Sequence, residues 1–397
     1  MTTSNTPAWT ATPQSGLQIN SVAVSADGAI TVAGTSSEFG TGQFNFYGWD
    51  NQGTQLWQVP VTAANANQGV FWVAIDSAGK VAAAGGETSK TCGFLTIVNA
   101  QTGAVLWHND ALPGRVNQLT FSADGTLLLA GFTNLLQLYA LQNGAWQLAD
   151  SLPLDGTYAS YSAVLAESGD RVWVGGINYN VKPYTGVVQQ IPLQNGKFGS
   201  AVSYQQSSGV MRVVTTADGQ YAAAALHSGG CAFFQASQIN GAAFSYQPAI
   251  SGLSLAYAIA MTQTNSGQLA IVVGANTQGA GVLYRVNPQP TAATVVPPIW
   301  QAELAWSAPV QYAVNPGVTL DRNASLVTAT DGKPDEQNGG SNQQESPGNF
   351  YLFDACSGVQ LWQYGTSLMN WPMQITPDGA VAVGASDDGS VYYWKLQ

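Results

Sequence analysis

A short turn that carries glycine recurs about every 50 residues along this chain of 397 residues, and this spacing constrains the fold more than any other feature. The turn occurs eight times, centred on Gly28, Gly79, Gly125, Gly169, Gly219, Gly267, Asn323 and Gly379. The first five steps are 51, 46, 44, 50 and 48 residues, and the last two are 56 residues if Asn323 takes the place of glycine with positive φ. A period of this length predicts repeated supersecondary units, as in solenoids, propellers and arrays.

Each repeat contains four short apolar runs that are separated by turn residues. In the third repeat the first two runs meet at Asp124-Gly125 and the last two meet at Asn143-Gly144. Asx-Gly pairs supply positive φ at low cost and are typical of β-hairpins. The second runs, such as 81–86, are rich in Ala and Gly, so we expect neighbouring sheets to approach each other closely there. Four-stranded sheets at this period favour a β-propeller over a solenoid.

The two ends of the chain complement each other. The last repeat has only three runs, at 371–375, 380–385 and 390–396, and the missing fourth run is expected at 7–12. Joining both ends in one sheet removes two free sheet edges. We therefore predict an all-β fold, a single eight-bladed β-propeller of four-stranded antiparallel blades, closed by the N-terminal strand. The predicted blades cover about 16–63, 67–113, 114–156, 157–209, 210–253, 254–306, 307–367, and 368–397 with 7–14.

Three fourth runs carry a more specific pattern, in which an acid or amide and a turn glycine precede a tryptophan by a fixed distance. The tryptophans are Trp57, Trp107 and Trp362, each four residues after its glycine. This pattern resembles the tryptophan-docking motif of the quinoprotein alcohol dehydrogenase-like propellers, which are built from PQQ-like repeats. The resemblance implies that the three indoles pack between adjacent blades. WD40-type repeats are the competing family, and their Trp-Asp pair occurs here only as Trp49-Asp50.

The resemblance does not imply a quinone cofactor. Full-length quinoprotein dehydrogenases carry a vicinal cysteine pair and a calcium site, whereas Cys92, Cys231 and Cys356 lie in different repeats. Non-enzymatic members, such as the outer-membrane assembly scaffolds, resemble this chain better in size. We therefore predict no cofactor.

Composition limits the partners and the compartment. Only 8% of residues are charged, the net charge is −11 and no basic patch is visible, so nucleic acid and anionic membrane surfaces are unfavourable partners. No apolar stretch approaches the ~20 residues of a membrane span, so we expect no membrane insertion. No signal peptide is visible and three cysteines give no disulfide framework, which predicts a cytoplasmic protein if the chain is complete. A removed signal would instead indicate a periplasmic or secreted protein, and we expect a monomer in either case.

In a propeller the first strand of each blade lines the central channel, and functional groups gather at one mouth of that channel. The candidate ligand-binding residues near the starts of these strands and in one neighbouring loop are Phe71, Trp72, Asn117, Tyr158, Tyr161, Tyr179, Arg212, Tyr257, Gln311 and Trp371. Aromatic faces and amides suit a small organic, sugar-like or peptide ligand, and Arg212 could hold a carboxylate. The alternative is that these side chains only pack between blades.

Candidate catalytic residues are few. His227 precedes Ser228-Gly229-Gly230-Cys231, and a histidine beside a serine or cysteine can activate a nucleophile. Tyr161 and Tyr257 are further candidates for acid–base chemistry. No metal site is predicted from the two histidines, which lie in different repeats.

The longest insertion, 331–349, is acidic. Its carboxylates could supply oxygen ligands to Ca²⁺, although their spacing does not match an EF-hand, and they are Asp331, Asp335, Glu336 and Glu345. The alternatives are a mobile acidic loop or a lid over the channel mouth.

These features predict a non-catalytic binding or scaffold propeller that holds a small organic ligand, a peptide or a protein partner at the channel mouth. One alternative is a metal-independent enzyme, such as a lyase, cyclase or hydrolase, with its active site in the channel. A second alternative is a carbohydrate-binding lectin, which would need the same aromatic cluster in every blade.

Overall fold

The computed structural model describes residues 4–237, 244–291, 299–314, 317–332 and 347–396, with the backbone alone at residues 38 and 39. These residues form β-strands, turns and bends, and all strand pairs are antiparallel. No helix in this part of the chain is long and apolar enough to cross a membrane.

Thirty-four strands follow one another along the described residues. In the first half they are β1 (Trp9–Ala11), β2 (Gln18–Val24), β3 (Ile30–Gly42), β4 (Asn45–Asp50), β5 (Gln55–Pro60), β6 (Ala66–Ile75), β7 (Val81–Ser89), β8 (Cys92–Asn99), β9 (Val105–Leu112), β10 (Gln118–Phe121), β11 (Leu127–Gly131), β12 (Leu135–Gln142), β13 (Ala145–Pro153), β14 (Ala159–Leu165), β15 (Arg171–Asn178), β16 (Thr185–Gln194), β17 (Lys197–Phe198) and β18 (Val202–Gln206). In the second half they are β19 (Val210–Thr215), β20 (Tyr221–Leu226), β21 (Cys231–Gln235), β22 (Phe244–Tyr246), β23 (Ser254–Gln263), β24 (Leu269–Asn276), β25 (Gly281–Pro290), β26 (Trp300–Val310), β27 (Ala313–Val314), β28 (Thr319–Leu320), β29 (Leu326–Gly332), β30 (Gly348–Asp354), β31 (Gln360–Thr366), β32 (Asn370–Ile375), β33 (Val381–Ser386) and β34 (Val391–Lys395).

Hairpin pairing groups the described strands into eight consecutive sets. They are set 1 (β2–β5), set 2 (β6–β9), set 3 (β10–β13), set 4 (β14–β18), set 5 (β19–β22), set 6 (β23–β26), set 7 (β27–β31) and set 8 (β32–β34 with β1). In set 8 the N-terminal β1 pairs with the C-terminal β34, with Trp9 opposite Tyr393.

The sets depart from separate sheets of four continuous strands in three places. The long β3 continues past its own hairpin and pairs with the start of β6, so sets 1 and 2 share one hydrogen-bonded sheet. In set 4 the last strand is divided into β17 and β18, and both segments pair with β16. In set 7 the first strand is divided into β27 and β28, and both segments pair with β29. The described residues therefore form seven sheets, not eight separate ones.

The recurring turn joins the first and second strands of a set, and side chains fix its shape. The Ser122 hydroxyl donates to Asp124 Oδ1 at 2.6 Å and accepts the Leu127 N–H at 3.0 Å. The same pairing of hydroxyl and carboxylate recurs at Ser25/Asp27, Thr216/Asp218 and Thr376/Asp378. Local bonds of this kind favour turns over continued strands.

The seventh turn corrects one sequence prediction. Ala324, with φ of 52°, takes the glycine's place, so the prediction that Asn323 has positive φ was wrong. Both Asp321 oxygens hold this turn, since Oδ1 accepts the Ser325 and Leu326 N–H groups at 2.7 Å and Oδ2 accepts the Ser325 hydroxyl at 2.7 Å. These bonds offset the strain of alanine in the left-handed region.

Eight apolar clusters lie between neighbouring sets, and the last of them joins sets 8 and 1. The small residues of the second strands make this contact possible. A Cβ on Gly85 would lie 2.8 Å from Val116, which precedes the first strand of the next set by two residues. A similar meeting of second-strand glycine and first-strand valine occurs at Gly34/Val70, Gly175/Val210 and Gly274/Val314. Close packing of this kind confirms the role expected for the Ala/Gly-rich runs.

The antiparallel pairing gives every set two different ends. The tight-turn end holds the turns between first and second strands. The long-loop end holds the loops between second and third strands, together with the linkers between sets. The first strands are joined sideways, because the Val73 N–H donates to Ser21 Oγ at 3.0 Å and the Val213 N–H donates to Ser162 Oγ at 2.9 Å.

Candidate functional site

A β-bulge recurs in the first strands, close to the long-loop end. The pairing register shifts by one residue at Asn20, Phe71, Tyr161, Met211 and Tyr257, so each of these residues lacks its own partner in the second strand. A bulge bends the strand and redirects the side chain of the extra residue. Three of the sequence-predicted ligand residues therefore occupy positions that the fold redirects.

An aromatic cluster lies at this end of sets 4 to 6, formed by Tyr161, Tyr179, Tyr184, His227 and Tyr257. The ring centroids of Tyr161 and Tyr179 are 6.5 Å apart, those of Tyr179 and Tyr184 are 5.3 Å apart, and those of Tyr184 and His227 are 4.9 Å apart, all edge to face. Tyr257 interacts electrostatically with Tyr179.

The aromatic cluster presents tyrosine side chains to solvent. Tyr161, Tyr179 and Tyr257 are 36%, 47% and 38% exposed, which is unusual for three neighbouring aromatic side chains. Partial burial, with smaller contributions from Tyr161, Tyr257 and Tyr184, raises the pKa of Tyr179 to about 12. At neutral pH the Tyr179 hydroxyl can therefore both donate and accept hydrogen bonds.

Arg212 lies beside the aromatic cluster and directly follows the bulged residue of β19. Its guanidinium carbon is 5.1 Å from the centroid of the Trp72 ring, although Trp72 belongs to set 2 and Arg212 to set 5. Arg212 Nε is buried and has no hydrogen-bond partner in the described structure. Burial lowers the pKa of Arg212 to about 10, with Tyr257 acting in the opposite direction, so the side chain stays cationic at neutral pH.

A second arginine covers the neighbouring ring. Arg115 lies 4.1 Å from the centroid of Phe71, and its Nε donates to Asn117 Oδ1 at 2.9 Å. Arg115 and Tyr161 line one cleft, together with Glu87, Lys90, Pro113, Gly114, Phe132, Thr133, Asn134 and Leu135. Sequence reasoning missed Arg115, although its position two residues before the predicted Asn117 was a usable signal.

Asn117 itself is buried and holds the backbone in place. Its side-chain amide donates to Thr133 Oγ1 at 3.3 Å and to the Ser160 carbonyl at 3.4 Å. Asn117 therefore positions Arg115 and the strand that carries Tyr161.

Three other predicted ligand residues belong to separate networks. The Tyr158 hydroxyl donates to Gln205 Oε1 at 2.8 Å, within a small cavity on set 4. Gln311 accepts from Gln363 Nε2 at 3.2 Å on set 7. Trp371 Nε1 donates to Asp387 Oδ1 at 2.6 Å on set 8.

Cys231, the candidate nucleophile near His227, is not exposed. The Cys231 thiol is buried and hydrogen-bonds with Tyr284, and burial raises its pKa to about 12. Burial also lowers the pKa of His227, which keeps its ring neutral at pH 7. Ser228 Oγ donates instead to Gln247 Oε1 at 3.2 Å.

The predicted calcium ligands are only partly described. Asp335, Glu336 and Glu345 lie outside the described residues. Asp331 is fully buried, and each of its oxygens already accepts two hydrogen bonds, which disfavours a metal-ligand role. Among the described residues, no three His, Cys, Asp or Glu side chains are grouped so that they could hold a metal ion.

The three tryptophans that were predicted to pack between blades make two kinds of contact. Trp57 packs on Gly103 of the next set, and its Nε1 donates to the Ala100 carbonyl at 2.7 Å. Trp107 meets Tyr139 edge to face at 4.8 Å, and Trp362 stacks on Trp394 at 5.4 Å.

Two further tryptophans make the Trp57 contact and were not predicted to do so. Trp9 packs on Gly53, and Trp306 packs on Gly358 while donating to the Ala355 carbonyl at 2.7 Å. The glycine of the sequence motif thus receives the indole of the preceding set.

Comparison of the sequence with models of protein families and with curated proteins finds no match. Among solved structures, the chain is similar to the β-propeller domain of Cps50 (Swd1) from Myceliophteria thermophila, with a TM-score of 0.57 and 16% sequence identity. The match covers 83% of this chain and 96% of that domain. At this identity the likeness concerns the fold alone. Together with the antiparallel sheets described above, it shows that this chain is an all-β protein with a β-propeller fold.

Proposed function

We propose that the eight strand sets are eight blades closed into one ring, with the blade boundaries predicted from the repeat. The pairing of β1 with β34 supports this proposal, as does the cluster between sets 8 and 1. In that cluster Trp9 stacks on Tyr393 at 5.0 Å and lies 6.3 Å from Trp49 of set 1. The first strands would then line a central channel that opens at the long-loop end.

We further propose that the chain is a non-catalytic binding propeller, which holds a small organic ligand or a peptide at this opening. The observation that carries the proposal is the meeting of Trp72, Tyr161, Arg212 and Tyr257, which belong to sets 2, 4, 5 and 6. In a closed ring, residues of sets 2 and 5, which are not neighbours, can meet only near the axis. Exposed aromatic faces beside one cation match the lining of small-molecule sites.

The two alternative functions have less support. An enzyme would need a positioned acid or base, and His227 has the edge of Tyr184 beside it without an orienting carboxylate among its described contacts. A lectin would repeat one site in every blade, whereas the bulge position holds Asn20, Phe71, Tyr161 and Met211 in different sets. A protein partner at the same opening remains the competing kind of ligand.

A ligand screen on matched variants tests this function. The wild-type protein is heated with a library of small aromatic molecules, sugars and short peptides, and ligands that raise its melting temperature are tested again on Tyr161→Ala and Tyr257→Ala. Tyr158→Phe is the control, because it removes a tyrosine hydroxyl outside the aromatic cluster. A ligand at 100 times its Kd stabilises by about 2.7 kcal/mol. We expect both alanine variants to lose the shift and the control to keep it; shifts that persist in both alanine variants would contradict the proposed site.

A further inference from the structure

The opening contains a cation without a protein counter-ion. Arg212 Nε is buried without a partner, and its pKa is affected by its buried surroundings and by Tyr257. The one ion pair of the described residues joins Arg322 to Glu167 at the tight-turn end, at 2.8 Å. A buried charged donor that is left unpaired costs free energy, so such groups are normally paired.

The contact with Trp72 does not replace a counter-ion. The face of an indole attracts a cation but accepts no in-plane hydrogen bond from the guanidinium edge. The indole therefore leaves Arg212 Nε–H without an acceptor. The planar fork of a guanidinium fits a carboxylate with two parallel hydrogen bonds.

The surrounding charges also favour an anion. The chain has 22 acidic and 11 basic residues, yet two of its arginines cover adjacent rings of β6 at this end. Arg115 donates to the amide oxygens of Asn117 and Gln68, and Glu87 lines the same cleft without forming an ion pair with it. Arg115 therefore places a second cation on a ring of β6 at the long-loop end.

We propose that the ligand of this opening carries a carboxylate, which Arg212 binds through its unpaired edge, on an aromatic or apolar body that lies against the tyrosines. This inference rests on the proposed function and specifies its ligand class. Trp72 would hold the guanidinium in place, and Tyr257 would supply a hydroxyl next to the bound anion.

Acid and amide pairs of one molecular shape test the inference. The probes are 4-hydroxyphenylacetate with 4-hydroxyphenylacetamide, and indole-3-acetate with indole-3-acetamide, titrated by calorimetry at fixed ionic strength. A charge-assisted hydrogen bond corresponds to roughly 10-fold or more in Kd, so each acid should bind at least roughly 10-fold tighter than its amide. Arg212→Met should abolish that preference, whereas Arg322→Met, at the tight-turn end, should leave it unchanged.

The possible results separate the two proposals. Acids and amides that bind equally, or a preference that survives in Arg212→Met, would overturn the carboxylate and leave a ligand site in place. Failure of every probe to bind the wild-type protein at 10 mM would count against the proposed function as well.

A second measurement needs no organic ligand. Crystals soaked in bromide should show an anomalous peak within hydrogen-bond distance of Arg212, absent from crystals of Arg212→Met. Bromide found only elsewhere on the surface would also overturn the inference.

Discussion

Replacing Asp331 with Asn tests how the base of the acidic insertion is held, because the change keeps the size of the side chain and removes its charge. Asp331 Oδ2 accepts the Tyr312 N–H at 2.8 Å and the Tyr351 hydroxyl at 2.7 Å. Its Oδ1 accepts the Asn349 N–H at 2.7 Å and the Asn349 side-chain amide at 3.0 Å. All four neighbours donate, so this buried site is built for an acceptor with two oxygens.

The cost depends on which oxygen becomes an amide nitrogen. At Oδ1, both Asn349 donors would face another donor. At Oδ2, the Tyr351 hydroxyl can rotate and accept, so only the Tyr312 N–H loses its partner. This less costly arrangement loses one buried hydrogen bond and weakens the others, because their acceptor is no longer charged. The free energy of unfolding should fall by about 2–3 kcal/mol. With 397 residues the unfolding entropy is about 0.8 kcal/mol/K near 60 °C, which predicts a melting temperature lower by about 3 °C.

Calorimetry and amide hydrogen exchange would measure this effect, with Asp110→Asn as the control for the same change of charge at an exposed site. We expect the amides of Tyr312 and Asn349 to exchange about 10–100 times faster in Asp331→Asn, as 1.4 kcal/mol corresponds to each factor of ten. Melting and exchange that match the control would refute the reasoning that Asp331 acts as a buried four-bond acceptor.

Three further predictions concern the turns and the one histidine of the aromatic cluster. Gly103→Ala should lower the free energy of unfolding by about 2–4 kcal/mol, because it adds a Cβ against the docked indole at φ +71°. Gly144→Ala, at φ +81° in open space, should lower it by only about 1 kcal/mol, and thermal melting compares the two variants. The Ser122 hydroxyl lowers the pKa of Asp124, so this turn contributes stability that is lost as pH falls below about 4. In Ser122→Ala, the melting temperature should therefore fall less between about pH 5 and pH 3 than it does in the wild-type protein. Burial lowers the pKa of His227, so its NMR signals should titrate below about 6.5, and titration above that value would indicate an acidic partner.

Local sequence signals predicted much of the fold. Turns of the pattern hydroxyl–x–Asp–Gly specify their own shape, so their spacing revealed the repeat. The small residues of the second strands indicated that neighbouring sheets approach closely, as Gly85 and Val116 do. The expected run at 7–12 pairs with the last strand through Trp9.

The parts that sequence reasoning missed depend on register and on distant contacts. A bulge at Tyr161 exists only relative to β15, so it could not be read from β14 alone. Tyr158 and Tyr161 are three residues apart, and both were predicted to bind ligand, yet only Tyr161 contacts the aromatic cluster. The docking motif did not identify Trp306, because a long hairpin and not a four-residue turn precedes this tryptophan.

Arg212 is a second example of a residue whose contacts could not be predicted from the sequence. The sequence identified it as the one cation among the predicted ligand residues, but its contact with Trp72 joins residues 140 positions apart. Its unpaired Nε depends on what surrounds it in three dimensions. Residue type therefore indicated the chemistry of the proposed site, and only the assembled strands indicate which residues would share it.

An experimental structure of the protein purified without added ligand tests the central claim most directly, at a resolution that shows ordered water. We predict an anion or a carboxylate-bearing molecule in the plane of the Arg212 guanidinium, with Trp72 over one face and Tyr161 and Tyr257 open to the same space. Arg212 turned onto a carboxylate or carbonyl of the protein itself, with side chains filling the opening, would contradict a ligand site at this end of the propeller.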